Sequence, residues 1–140
     1  MTRTTYFGGR GVSSGRNFDP ARAGGPIRRL SAARIRITQR GIDVVERHLS
    51  RFGPDRANQV MVERLRAIAG ERLTPTTTDR NFYAHELREY VRYRNLGYES
   101  GQPANRDAAY ELWNNTHTAA LEDYGLQENP GVLYHPSAGE

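Results

Sequence analysis

Two polar residues, Glu86 and His117, occur where the apolar pattern of this sequence places core residues. At about 100° per residue, each lies at the centre of the apolar face of one of two aromatic-rich helices between Asp79 and Tyr124. The first face gathers Phe82, Tyr83, Leu87, Tyr90, Val91 and Tyr93, and the second gathers Tyr110, Trp113, Ala120, Leu121 and Tyr124. A carboxylate and an imidazole in apolar surroundings have perturbed pKa values and often perform acid–base chemistry. We therefore predict that Glu86 and His117 face each other at an active site; the alternative is a buried pair that only satisfies its own hydrogen bonds.

A second group of ionisable residues lies beside Glu86. His85 and Glu89 are one helical turn apart, and with His117 they have the composition of a two-histidine, one-carboxylate metal site. The segment lacks the second histidine of the zinc-protease pattern. We therefore favour a solvent-exposed flank with helix-spaced charge pairs, and the predicted site holds no metal and no other cofactor.

Arginines and tyrosines alternate along the first of these helices. Cations next to aromatic rings suit phosphate contacts combined with base stacking, although the tyrosines could equally be core and the arginines a hydrated face. Asparagines just before His117 could orient a substrate or the imidazole. The predicted catalytic residues are Glu86, His117, His85 and Arg88, and the predicted substrate-binding residues are Tyr83, Arg92, Asn115, Trp113 and Arg80.

The composition of the 140 residues excludes several kinds of chemistry. There is no cysteine, and all twenty basic residues are arginine, so thiol nucleophiles, Schiff-base lysines and a phosphate-loop lysine are excluded. The net charge of +4 makes a nucleic acid or a nucleotide a plausible partner. No apolar stretch approaches the roughly 20 residues that span a bilayer, and the N-terminus lacks the apolar segment of a secretion signal. We expect no membrane insertion by this chain itself.

The elements that position these residues are predicted to be four helices. Residues 1–33 carry six glycines and many arginines, which indicates a flexible arm, and residues 34–140 form a helical domain with an extended tail after Gly125. The predicted helices follow Thr38 or Asp43, Asp55, Asp79 and the loop 98–105. Residues 34–38 alternate like a short strand. His48 is interpreted as a histidine that packs between helices. The fold class is mostly α.

The stretch from Ile37 to Pro136 resembles the C-terminal toxin domains of bacterial polymorphic toxins of the contact-dependent inhibition and Rhs type. The segments that carry the resemblance are the Gly-rich arm, Ile37–Ile42, Val45–Leu49, Asn81–Glu89 and Trp113–His117. The resemblance implies a domain that is released from a larger secreted protein, enters a neighbouring bacterium and acts in its cytoplasm. It also implies a cognate immunity protein as a partner. Many such domains are ribonucleases, often with an α/β fold, whereas this chain is predicted to be helical.

Three functions remain open at this point. The first is a metal-independent ribonuclease in which His117 and Glu86 share the proton transfers and Arg88 or Arg92 stabilises the phosphorane. The second is an ADP-ribosyltransferase or another NAD-consuming enzyme, whose usual fold is richer in strands. The third is a helical module that binds a protein partner through its aromatic face and has no enzymatic activity.

Overall fold

The computed structural model describes residues 8–139, and four helices dominate it. This confirms the mostly helical, four-helix prediction. The helices are α1 (Gln39–Ser50), α2 (Arg56–Ala69), α3 (Thr77–Asn95) and α4 (Arg106–Asp123). A two-residue antiparallel pair, β1 (Gly9–Arg10) and β2 (Asn17–Phe18), precedes them, and short 3₁₀ helices lie at Pro20–Arg22 and Pro136–Ala138. None of the helices within residues 8–139 is long and apolar enough to cross a membrane.

Side-chain caps explain where the helices begin. Thr38 and Asp55 accept hydrogen bonds from the backbone N–H groups of Gly41 and Asn58, which confirms them as N-caps of α1 and α2. The predicted N-cap of α3 is wrong by three residues: Thr76 is the cap, and Asp79 is its partner in a capping box. An acidic residue before an apolar run fits either position, so the sequence signal was ambiguous.

The carboxylate of Asp79 also pairs with the guanidinium of Arg64 through two contacts of 2.8 and 2.9 Å, and it is buried. Burial raises the pKa of Asp79, but the Arg64 and Thr76 donors outweigh it, so the pKa lies below its usual value. The contribution of this pair to stability is therefore present at neutral pH and is lost as the pH falls through that lowered pKa. We expect Asp79→Asn to lower the free energy of unfolding at pH 7 by about 2 kcal/mol. The difference from wild type should shrink below about pH 4.

Urea denaturation at pH 7 and at pH 3 checks this expectation. The matched control is Asp107→Asn, since Asp107 also lies in the first turn of a helix but is exposed. A loss of the same size at both pH values would show that the Asp79 charge is not what stabilises the start of α3.

Helix α3 is the centre of the fold, because it packs against α1 on one side and α4 on the other. The main core lies among α1, α2 and α3, and Ile42, Val45, Met61, Leu65 and Phe82 are fully buried in it. Tyr110, which was predicted to face the core from α4, is instead 56% exposed. Tyr110 lies in the second turn of α4, before the part of the helix where the buried residues concentrate.

The N-terminal segment is packed more closely than its composition indicates. Residues 34–38 do not form the predicted strand; the two short strands lie further upstream, within the segment predicted to be an arm. Phe18 and Ala23 are buried against Ala119 of α4. The loop between the strands binds a side chain of α4, since the N–H groups of Ser13 and Ser14 donate to the Glu122 carboxylate. Residues 1–7 of the predicted arm lie outside the described residues.

The C-terminal segment after α4 has little regular structure, as expected, but it is not detached. Leu133 and Ala138 are buried, and the ring of Tyr134 packs edge-on against Phe82 at a centroid distance of 5.5 Å. The hydroxyl of Tyr134 donates to the side chain of Asn58 in α2 at 2.5 Å. This segment therefore lies across α2 and α3 and forms one wall of a cleft.

Candidate active site

A cleft of about 940 Å³ opens between the helices and the C-terminal segment. Its volume is within the range of small-molecule and substrate sites. Its apolar lining includes Leu49, Phe52, Pro54, Leu133 and Tyr134. The lining also carries the chemistry-bearing side chains, which are Glu86, Glu89, Trp113, His117 and Glu128. The cleft therefore combines an apolar surface with a compact ionisable cluster.

Glu89 is the centre of that cluster. One of its carboxylate oxygens, Oε1, lies 2.8 Å from Nε2 of His48, and the other, Oε2, lies 3.1 Å from Nε2 of His85 and 3.0 Å from Nδ1 of His117. Burial by itself raises the pKa of Glu89, whereas the hydrogen bonds from the three histidines hold it well below its usual range. Glu89 is thus a buried carboxylate that stays ionised because three imidazoles from three helices surround it.

His117 connects this buried centre to the cleft. Its Nδ1 atom faces Glu89, its Nε2 atom lies 2.6 Å from Glu128, and its ring stacks on Trp113 at a centroid distance of 4.4 Å. Burial disfavours the charged imidazole, but the hydrogen bonds to Glu128 and Glu89 outweigh it and raise the pKa of His117 to about 9. The hydrogen bond from His117 in turn lowers the pKa of Glu128 to about 2. A positively charged imidazole therefore lines the cleft at neutral pH.

Glu86 is buried, as predicted, but it does not pair with His117. Its Oε1 atom has no hydrogen-bond partner among the described residues, and Nε2 of His48 is 3.7 Å away. Burial, together with the nearby charge of Glu89, raises the pKa of Glu86 well above its usual range. The predicted Glu86–His117 pair is therefore corrected: Glu89 pairs with His117, whereas Glu86 lines the cleft and keeps a buried oxygen that has no partner among residues 8–139.

His85 and Glu89 are completely buried rather than part of the exposed flank we predicted. Burial lowers the pKa of His85. The prediction was wrong because α3 contacts a neighbour on two sides, so a face beside the apolar stripe is covered as well. His85 does join the site, since its Nε2 atom lies 3.0 Å from Nδ1 of His117.

The predicted arginines lie outside the cleft. Arg92 is fully buried and, with Arg88, binds the carboxylate of Asp123. Arg80 lines a separate, smaller pocket near Ala32. None of these three arginines lines the cleft, and the catalytic role of Arg88 and the substrate-binding roles of Arg92 and Arg80 stay predictions.

The other predicted substrate-binding residues divide between the site and the scaffold. Trp113 lines the cleft and stacks on His117. The side chain of Asn115 accepts a hydrogen bond from the N–H group of Asp19 and so holds the N-terminal segment. Tyr83 is buried in the main core, where its hydroxyl accepts from the N–H group of Thr38. Of the predicted set, Glu86, His85, His117 and Trp113 come together, and the remainder do not.

Four residues of the site were missed or misplaced by the sequence analysis. Two had a readable signal: His48 follows Val45 by three residues on the apolar face of α1, and Glu89 follows Glu86 by three on α3. Glu128 and Arg16 had none, because both lie in segments without periodicity. Arg16 pairs with Glu128 at 2.8 Å, and its guanidinium lies 5.2 Å from the centre of the Trp113 ring.

Within residues 8–139, two overlapping groups of side chains could hold a metal ion. They are His85, Glu89 and His117, and His48, Glu86 and Glu89, and in each the ligand atoms lie within 4.8 Å of one another. Glu89 belongs to both groups.

No protein-family model, curated protein or solved structure matches this chain. What the cleft can do chemically follows from its own residues. An ionised carboxylate centre, a charged imidazole and a free carboxylate oxygen beside an apolar wall suit proton transfer to and from a bound substrate.

Proposed function

We propose that this chain is the toxin domain of a larger secreted protein, and that the cleft beside Glu86 and His117 is its active site for cleavage of RNA. The observation that carries the proposal is the Glu86 carboxylate. It is only 6% exposed, its Oε1 atom has no partner among residues 8–139, and it lies at the wall of an open cleft. Buried polar groups without partners are costly and are rare away from functional sites.

The proposed chemistry divides the work between two residues. Glu86 accepts the proton of a ribose 2′-hydroxyl while the 2′-oxygen attacks the phosphorus and the bond to the 5′-oxygen breaks. The products are a 2′,3′-cyclic phosphate and a 5′-hydroxyl. The protonated His117 stabilises the negative charge that develops on the phosphoryl group and donates a proton to the leaving 5′-oxygen. Trp113, already stacked on His117, provides an aromatic surface for a base.

The resemblance to polymorphic toxin domains supports the biological part of the proposal. In this proposal the chain is carried by an upstream protein joined to its N-terminal segment, acts in the cytoplasm of a target bacterium and is held inactive by an immunity protein at home. Its net charge of +4 favours approach to RNA.

Inducible expression in a bacterium tests this proposal. Wild type, His117→Ala and His135→Ala are compared, with growth and total RNA on a denaturing gel read together. His135 is the matched control, because it is a histidine of the tail whose side chain bonds only to Ser137 among the described residues. We expect wild type and His135→Ala to stop growth and fragment RNA, and a folded His117→Ala to do neither.

Other results would redirect the proposal. Arrest of growth with intact RNA would contradict the ribonuclease chemistry, and cellular NAD would be measured next. Normal growth with soluble wild-type protein would contradict the toxin function and favour a partner-binding module.

A further inference from the structure

We propose that Nε2 of His85, Oε2 of Glu89 and Nδ1 of His117 bind one divalent transition-metal ion of the Zn²⁺ type. This inference rests on the proposed function of the cleft. In the metal-bound form Nδ1 of His117 carries no proton, so the ion supplies the positive charge that the protonated His117 ring supplies in the metal-free chain. The three side chains are all buried, yet Glu89 and His117 line the cleft, so an ion has a route from solvent.

The spacing of the three atoms fits a metal ion. Nε2 of His85 is 3.1 Å from Oε2 of Glu89 and 3.0 Å from Nδ1 of His117, and the third side of the triangle is 3.0 Å. Three ligands at about 2.0–2.1 Å from a tetrahedral ion lie about 3.3 Å apart. The triangle is therefore nearly equilateral and is close to the size that such an ion requires.

Hydrogen bonds alone cannot account for the same triangle. An ionised carboxylate only accepts, so both nitrogens would need a proton to satisfy their contacts with Oε2 of Glu89. Two protonated nitrogens would then meet at 3.0 Å, which is unfavourable. If either His85 Nε2 or His117 Nδ1 lacks its proton, that nitrogen and Oε2 of Glu89 are both hydrogen-bond acceptors, and their contact is repulsive. A cation that lies just outside the plane of the triangle and binds all three atoms makes the three contacts favourable at once.

His48 does not belong to the ligand set. Its Nδ1 atom accepts a hydrogen bond from Nε of Arg51 at 3.1 Å, so the proton of the neutral ring is on Nε2. That proton is donated to Oε1 of Glu89 at 2.8 Å, which leaves Nε2 without a lone pair for a metal. The site therefore takes one ion, and His48 orients the carboxylate that binds it.

Glu128 completes the arrangement on the other side of His117. Its Oε2 atom lies 2.6 Å from Nε2 of His117, opposite the nitrogen that faces Glu89. A carboxylate that accepts from the second nitrogen of a ligating histidine fixes the ring and strengthens the ligand. Glu128 is thus a positioning residue for the metal.

An open coordination position and the nearby Glu86 side chain would allow a reaction next to the ion. Three protein ligands leave a tetrahedral ion one open position, which is the pattern of catalytic rather than structural zinc sites. The free carboxylate oxygen of Glu86 lies beside the cluster. The cleft is lined by four acidic side chains, Asp55, Glu86, Glu89 and Glu128, and the pKa values of Glu89 and Glu128 lie below their usual range. A divalent cation offsets this negative charge and makes the cleft suitable for a phosphodiester.

Metal binding to the purified chain tests the inference without an activity measurement. Chelator-treated protein is titrated in separate experiments with Zn²⁺, Mn²⁺ and Fe²⁺, and stoichiometry is read by calorimetry and by elemental analysis after gel filtration. We expect one Zn²⁺ per chain and a rise in Tm. His135→Ala should also bind one ion. Glu128→Gln should bind Zn²⁺ about 10–100-fold more weakly.

The outcomes separate this inference from the proposed function. Loss of binding in folded His85→Ala and His117→Ala, judged by circular dichroism, supports the site. Absence of binding by the wild-type chain for all three ions overturns the metal inference, whereas RNA cleavage is judged independently. Two ions per chain overturn the single-ion form. If the chain binds one ion but leaves RNA intact, the metal site is supported and the ribonuclease function is contradicted.

Discussion

Glu86→Gln is expected to abolish RNA cleavage and growth arrest while leaving the fold intact. The carboxyl group of Glu86 is buried with an unpartnered Oε1 atom among residues 8–139, so a neutral amide of the same shape removes an ionisable group whose hydrogen bonds the fold does not use. Loss of a general base reduces turnover by about 10²–10⁴-fold. We expect a Tm equal to or above that of wild type, which is the signature of a side chain kept for chemistry rather than for stability.

Growth assays, RNA gels and thermal unfolding of the purified variant check this expectation. Glu111→Gln is the matched control, because Glu111 is an exposed carboxylate on α4, and it should behave as wild type in all three measurements. The Glu86 variant should also bind the same number of metal ions, since Glu86 is not among the three proposed ligands. A Glu86→Gln chain that unfolds more easily than wild type would show that the carboxylate is structural.

Arg92→Met is expected to cause the largest loss of stability of any variant considered. The Arg92 guanidinium makes five hydrogen bonds, two to the carboxylate of Asp123 and three to carbonyls of the N-terminal segment at Ala23, Gly25 and Pro26. Removing it leaves the buried Asp123 charge without its main partner. Breaking a buried ion pair in this way costs about 3–5 kcal/mol.

Urea denaturation at pH 7 measures that loss, and limited trypsin digestion shows where it acts. Because the three carbonyls lie in residues 23–26, we expect faster cleavage after Arg22, Arg28 and Arg29 in the variant. Arg94→Met is the control, since Arg94 is exposed on the same helix, and it should change the free energy of unfolding by less than about 0.5 kcal/mol. A stable Arg92→Met chain that loses RNA affinity would instead support the substrate-binding role that we predicted for Arg92.

The pairing of Arg88 and Arg92 with Asp123 shows that arginine content alone does not identify a phosphate-binding surface. Arginines next to tyrosines on α3 suggested a phosphate-binding surface, and their charge alone could not distinguish a free guanidinium from a paired one. The difference arises from Asp123 on α4, which lies 31 residues from Arg92 in the chain and is 2.9 Å away in space. Only the packing of α3 on α4 brings the two together.

The N-terminal segment was predicted to be flexible from its composition, but it is packed against the helices. Its glycines and arginines are typical of a flexible linker, and no periodicity predicted that Phe18 and Ala23 would be buried. The contacts that hold it come from α3 and α4: Arg92 binds its carbonyls, Asn115 binds the backbone of Asp19, and Glu122 binds the Gly-rich loop. Polar residues on helices thus order a segment that has few apolar side chains of its own.

The sequence by itself determined the four helices, the N-cap of α2 and the burial of Glu86 and His117, because helical periodicity and capping are local properties of the chain. It also determined that cysteine and lysine chemistry are excluded. The tertiary structure decided which ionisable groups meet. Glu89 is the centre of the site because His48, His85 and His117 converge on it from three helices, and Glu128 joins them from a segment without any regular pattern. Distances between side chains on different elements depend on how those elements pack, and no spacing along the chain encodes them.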